Sequence, residues 1–203
     1  MNNVGEITKC EKCIRKYIKE RLQREYDEDL LNKVCRKIWG ILEDWTGSTY
    51  VGKKKDLREE RAYQKFFQSL HDFLEFLSQN GSNLHQREKT LAEFMMFRGT
   101  VFRYLGFGYS LDAIGKKHID PINRDIYVSW SKSEKNQYIE NKLYGPKTWI
   151  KAKIKEPEFG IDIQGFELWR KTWFQEDCVI TRGNEKEVVF PTFKKNIVEI
   201  VYL

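Results

Sequence analysis

Glu185-Lys186-Glu187 runs directly into Val188-Val189-Phe190-Pro191. In an extended strand alternate side chains share a face, so both carboxylates are aimed at one spot while the apolar residues behind them anchor the strand in a sheet. Such a pair suits accepting hydrogen bonds from a sugar hydroxyl and stabilising a developing positive charge, as in glycosyl transfer through an oxocarbenium-like state. Two other segments carry complementary chemistry. Phe94-Met95-Met96-Phe97-Arg98-Gly99-Thr100 reads as an apolar strand that delivers one arginine and then breaks at glycine. The Arg98 guanidinium suits a bidentate grip on phosphate oxygens, and Gly99 lets a ligand approach the backbone closely. Ile126-Tyr127-Val128-Ser129-Trp130-Ser131 ends in two serines one residue apart, which alternation places on one side. Taken singly, each pattern also fits a polar strand end.

Taken in order, arginine, Ser-x-Ser and Glu-x-Glu resemble the catalytic signature of the mono-ADP-ribosyltransferases. The local context is similar too: an aromatic residue before Arg98-Gly99, and Glu-x-Glu followed by Val188, two apolar residues and Pro191. Glu158-Phe159-Gly160-Ile161-Asp162-Ile163 looks like that family's connection between its middle strands. The resemblance covers about residues 90 to 203. It implies that NAD is the substrate, with no metal. Arg98 and Gly99 would hold the NAD phosphates, and Ser129 would position the catalytic glutamate and support the nicotinamide pocket, with Ser131 beside it. Glu187 would bind the nicotinamide-ribose hydroxyl and stabilise the oxocarbenium ion. Glu185 would orient or deprotonate the acceptor.

Three stretches depart from the family pattern, the first a compact segment between Arg98 and Ser129 that contains Lys116-Lys117-His118 and Asp120-Pro121. Trp130 stands where threonine is usual, which implies a different floor under the nicotinamide. Phe166-Glu167-Leu168-Trp169-Arg170-Lys171-Thr172-Trp173-Phe174 is longer and more aromatic than a minimal connection. Trp169, Trp173 and Phe174 are candidates for acceptor recognition, stacking on bases or framing a protein surface; the same residues fit an additional packed helix.

The chain has 203 residues, 40% apolar and 14% aromatic, enough to bury a substantial core. No stretch approaches the roughly 18 uninterrupted apolar residues of a membrane span. Met1 to Lys9 lacks the apolar region of a signal peptide, so a cytoplasmic protein is expected. The formal charge of +6 favours polyanions, although the basic residues are spread along the chain. Cys10 and Cys13 form a C-x-x-C, but the surrounding residues read as helix and no second ligand pair follows at zinc spacing. Cys35 lies among Leu31, Val34, Ile38 and Leu42 at helical intervals, as a buried thiol would.

Helices are expected first and strands later. The acidic Asp27-Glu28-Asp29 precedes a helix with the stripe Leu30, Val34, Ile38, Ile41, Leu42 and Trp45, ending at Gly47. A further helix is predicted from Arg58 to Gln79, stopped by Asn80-Gly81-Ser82-Asn83, and a short one from Leu84 to Leu91. Strands are predicted over about 93 to 98, 126 to 131, 147 to 154, 187 to 190 and 197 to 202. This is an α+β arrangement: an N-terminal helical region, 1–90, packed on a mainly antiparallel split sheet of the ADP-ribosyltransferase type, 91–203, as one compact unit.

The expected activity is therefore transfer of ADP-ribose from NAD to a macromolecular acceptor. A glutamate two residues before the catalytic one goes with arginine acceptors in the resembling family, and Glu185 fits that pattern. The basic, aromatic character suits single-stranded RNA or DNA bases instead. By analogy with intracellular members, the setting would be a phage-encoded modifier or a toxin in bacterial phage defence or a toxin-antitoxin pair, with a neutralising antitoxin or immunity protein as partner. A protein of another class, an inactive module that keeps the fold and binds RNA or protein, is the remaining alternative.

Overall fold

The computed structural model describes residues 4–23, 26–50, 57–105, 127–134, 148–175, 186–191 and 194–202. The described residues form five α-helices and seven antiparallel strands. The chain divides into two units: Met1–Phe94 with Phe166–Ile180, and Met95–Gly165 with Thr181–Leu203. The break between the units falls at Phe94/Met95, and the segment from Phe166 belongs with the helices.

The first unit contains α1 (Val4–Arg21), α2 (Glu28–Tyr50), α3 (Leu57–Gln79), α4 (Gln86–Met95) and most of α5 (Ile163–Phe174). Each long helix buries one stripe. Ile7, Cys10, Ile14 and Tyr17 of α1 recur every three or four residues and are all buried. From α3, Tyr63, Phe66, Phe67, Leu70, Phe73, Leu74 and Leu77 are buried. Trp45 packs edge-on to Phe67 at 4.9 Å between ring centres, and Tyr17 meets Phe73 at 5.4 Å. Asp27 caps α2, its Oδ1 accepting the Leu30 N–H at 2.9 Å, which satisfies one of the donors a helix start leaves open. The helix continues beyond Gly47 to Tyr50, because a single glycine lowers helix propensity without ending a well-anchored helix. α3 stops at Gln79, where a 3₁₀ turn, Gly81–Asn83, begins the next connection.

A polar knot lies within these helices. Glu88 is fully buried and accepts hydrogen bonds from Tyr17 Oη at 2.5 Å, Arg21 Nε at 2.9 Å and the His85 N–H at 2.8 Å. The His85 bond caps α4 from within its first turn. The donors make burial of the carboxylate tolerable. Burial, reinforced by the Glu88 carboxylate, pushes the Tyr17 phenol well above its ordinary range.

The second unit is a curled sheet with strand order β1-β5-β6-β3-β2-β4-β7. Its strands are β1 (Met96–Phe97), β2 (Gly99–Leu105), β3 (Tyr127–Ser131), β4 (Thr148–Ile154), β5 (Gly160–Asp162), β6 (Glu187–Pro191) and β7 (Ile197–Tyr202). β1 and β2 are consecutive in the chain, yet β5, β6 and β3 lie between them in the sheet order. The chain must turn sharply between Phe97 and Gly99, and Gly99 does so with φ of +151°. The strand predicted over 93 to 98 is shorter than expected, since Glu93–Met95 complete α4 and only Met96–Phe97 pair with β5. One face of the sheet packs Val101, Trp130, Ile150, Ala152, Ile154, Val188 and Phe190 into a core.

Candidate functional site

Alternation determines which residues share the other face. Trp130, Val188 and Phe190 point into the core, so Ser129 and Ser131 on β3 and Glu187 and Val189 on β6 project from the opposite side. β3 and β6 run antiparallel with Ser131 opposite Glu187 and Ser129 opposite Val189. The carboxylate reaches diagonally along this ladder, and the Ser129 hydroxyl donates a hydrogen bond to Glu187 Oε1. Glu187 is 5% exposed, so this bond serves a carboxylate largely removed from water. Two of the residues expected to cooperate, 58 positions apart in the chain, are thus in direct contact.

Ser131 has a different task. Its Oγ accepts the Ser133 N–H at 3.0 Å and lies 3.0 Å from the Ser133 carbonyl, closing a local turn at the end of β3. That turn presents Lys132. The Lys132 N–H donates to the Lys186 carbonyl at 3.0 Å, holding the residue before Glu187 against the end of β3. The Lys132 ammonium bonds both oxygens of Asp162, at 2.7 and 3.0 Å, and lies 5.7 Å from the centre of the Phe97 ring. Asp162 also caps α5, its Oδ1 accepting the Gly165 N–H at 3.0 Å.

Arg98 stands at the junction of β1 and β2, exposed, with its Nε 3.9 Å from Glu156. The described contacts bring Ser129 and Glu187 together and leave Arg98 beside Glu156. The Cβ position that Gly99 lacks lies 2.9 Å from Cζ of Phe97, so the Phe97 ring packs where a side chain would stand. Trp130 does not form a floor beneath the Ser129 face. It is 2% exposed, faces the core and donates its indole N–H to the Phe190 carbonyl at 3.2 Å. Glu185 lies outside the described residues.

Of the three aromatic candidates for acceptor recognition, Trp169 is fully buried within the helical unit. Its ring stacks on Phe166 at 5.9 Å, and its N–H donates to the Arg87 carbonyl at 3.0 Å. A tryptophan with no exposed surface has no face to offer a base, so Trp169 is a core residue. Trp173 and Phe174 are half-buried; the Trp173 N–H donates to Thr90 Oγ1 at 2.9 Å, and the Arg87 guanidinium sits 5.1 Å over its ring.

Sequence reasoning missed two residues of this neighbourhood. Arg103 donates from Nη1 to the Ser129 carbonyl at 2.9 Å, and Lys132 joins the ends of β3, β5 and β6. Arg103 left a signal: it shares the inward face of β2 with Val101, where a charge needs a specific partner. Among the described residues, no group of three His, Cys, Asp or Glu is arranged to hold a metal ion, and no helix is long and apolar enough to cross a membrane. Cys10 of the C-x-x-C is buried, which pushes its thiol up to about 12.

Searches against protein-family models, curated proteins and solved structures find no match for this chain.

Proposed function

We propose that the protein is a mono-ADP-ribosyltransferase that cleaves the nicotinamide-ribose bond of NAD and transfers ADP-ribose to a macromolecular acceptor. The observation that carries this reading is the Ser129 hydroxyl bound to the buried Glu187 carboxylate, on the sheet face opposite the core. A carboxylate removed from water and held by a fixed donor is suited to stabilise positive charge developing on a ribose carbon, because its field is weakly screened and it need not reorganise during the reaction. Glu187 also suits a ribose hydroxyl as hydrogen-bond acceptor. In this reading Arg98, already exposed, exchanges its long contact with Glu156 for the pyrophosphate.

Protein arginine is favoured over nucleic acid as acceptor. Burial of Trp169, and engagement of Trp173 with Thr90 and Arg87, remove much of the stacking surface that base recognition would use. A cytoplasmic setting, a role as toxin or phage-defence effector, and a neutralising partner protein belong to the same proposal and rest on the resemblance alone.

The test is label transfer from adenylate-labelled NAD to a cell lysate, with Glu187→Gln as control and parallel digestion by protease or nuclease. Label that depends on Glu187 and is released by protease is the expected result. Label that survives protease but yields to nuclease would make the acceptor RNA or DNA. Absence of both Glu187-dependent label and free ADP-ribose would overturn the enzyme reading and leave a binding module.

A further inference from the structure

We infer that Arg103 is a positioning residue of this site, holding the Ser129 backbone so that its hydroxyl meets Glu187; the role in catalysis rests on the transferase reading. The ladder between β2 and β3 supplies the reason. In an antiparallel strand the N–H and C=O of successive residues point alternately to the two neighbouring strands. The Lys132 N–H bonds the Lys186 carbonyl, towards β6, so Trp130 also points to β6, while Ser129 and Ser131 point towards β2.

Between β2 and β3 the described ladder consists of one pair, Phe102 with Ser131. Two residues before Ser131 on β3, the Ser129 carbonyl faces the same neighbour, β2. Arg103 of β2 reaches that carbonyl, with Nη1 2.9 Å from its oxygen.

A carbonyl in a half-buried position needs a donor, and a guanidinium supplies a directional one of fixed planar geometry. The bond also gives Arg103 a fixed partner on the strand face it shares with buried Val101. Arg103, the Ser129 backbone, the Ser129 hydroxyl and Glu187 form one continuous chain of contacts. Arg103 touches the backbone on one side of β3, and the hydroxyl acts on the other side of the peptide unit. Loss of the guanidinium frees β3 to shift, and displacements of about 1 Å cost up to about a hundredfold in rate when they misplace a reacting group.

The experiment is a double-mutant cycle with Arg103→Gln, Ser129→Ala and both together, followed by steady-state NAD cleavage and by the carbonyl 13C shift of Ser129 in labelled protein. Expected are a kcat lowered about tenfold or more in Arg103→Gln with KM for NAD changed less than about twofold, and no further loss when the change is made in Ser129→Ala. The Ser129 carbonyl resonance moves in Arg103→Gln. Should thermal melting show that Arg103→Gln has lost its fold, Arg103→Lys enters the same cycle, since it keeps the charge but not the planar donor geometry. Independent, multiplicative losses, a raised KM at constant kcat, or an unmoved carbonyl resonance would overturn the role. An active Glu187→Gln enzyme, or wild-type protein without NAD cleavage, would instead defeat the transferase reading, and the carbonyl shift still decides whether Arg103 holds Ser129.

Discussion

Lys132 and Asp162 form a two-point ion pair, with Nζ 2.7 and 3.0 Å from the carboxylate oxygens, in which the side chains are only 18% and 10% exposed. The same carboxylate caps α5, so one side chain serves both a cation and a helix end. Removing one member of such a pair strands the other charge. Asp162→Ala is expected to cost about 3 kcal/mol in denaturant unfolding, while Asp162→Asn, which keeps a capping oxygen, costs about 1 kcal/mol less than Ala. The paired change Lys132→Met with Asp162→Leu should recover part of the Asp162→Ala loss; full additivity of the two single changes would show that the pair is not coupled.

Gly160 on β5 is packed too closely for a side chain. A Cβ there would sit 2.4 Å from Cγ1 of Val188, the residue after Glu187, and 3.0 Å from Cδ1 of Ile154. Gly160→Ala therefore presses on the branched, rotationally stiff Val188 side chain of β6. We expect destabilisation of about 1 to 3 kcal/mol, with a fall in NAD cleavage larger than the fall in folded fraction. Wild-type stability in this variant would contradict the packing described.

Within the helical unit, Glu88 is the member of the polar knot whose loss should matter most. Glu88→Leu leaves Tyr17, Arg21 and the His85 N–H without their shared acceptor. A loss of about 3 kcal/mol or more is expected from urea titration. Glu88→Gln retains an acceptor oxygen and should fall between wild type and Leu.

Acid should loosen a different contact. Burial alone pushes the Glu158 carboxyl upward, but hydrogen bonds from Lys195 and Asn196, together with the Lys195 charge, outweigh it and hold the group below its ordinary value. The two bonds are each 2.5 Å long and tie the Lys194–Asn196 turn to the segment before β5. A carboxyl held low by the fold contributes its stability above the unfolded value, about 4.3, and loses it as pH falls through the lower folded value. Because Lys195 is largely exposed, Glu158→Gln should cost less than about 1 kcal/mol at neutral pH. The difference from wild type should vanish in acid; a gap that widens below pH of about 4 would contradict the sign.

The strand at 127–131 was legible from alternation, with Trp130 in the core and Ser129 and Ser131 on the other face, and the strand at 187–191 from the apolar run after Glu187, all five of its residues being buried. β5 was not, since three residues are too few to show a period, and Gly160 reads equally as loop. β2 was hidden by its opening glycine and by Arg103 on its apolar face, a charge that only tertiary structure explains. The apolar spacing of Ile163, Phe166, Trp169 and Trp173 did signal helix, and burial of Trp169 turns an expected recognition residue into core. The diagonal contact of Ser129 with Glu187 depends on the register between β3 and β6, which alternation within one strand cannot supply.

The helical unit draws on two separate lengths of chain, since α5 follows β5 while α1 to α4 precede the sheet. On the ribosome, the first four helices emerge before Phe166 and Trp169 have been made. Until then the Arg87 carbonyl and the Thr90 hydroxyl lack the indole that bonds them, and Trp39 lacks the Phe166 ring beside it. Vectorial synthesis thus leaves the nascent helices with an open apolar notch for as long as translation of the first five strands takes, a window in which a chaperone or a second nascent chain can occupy it before α5 does.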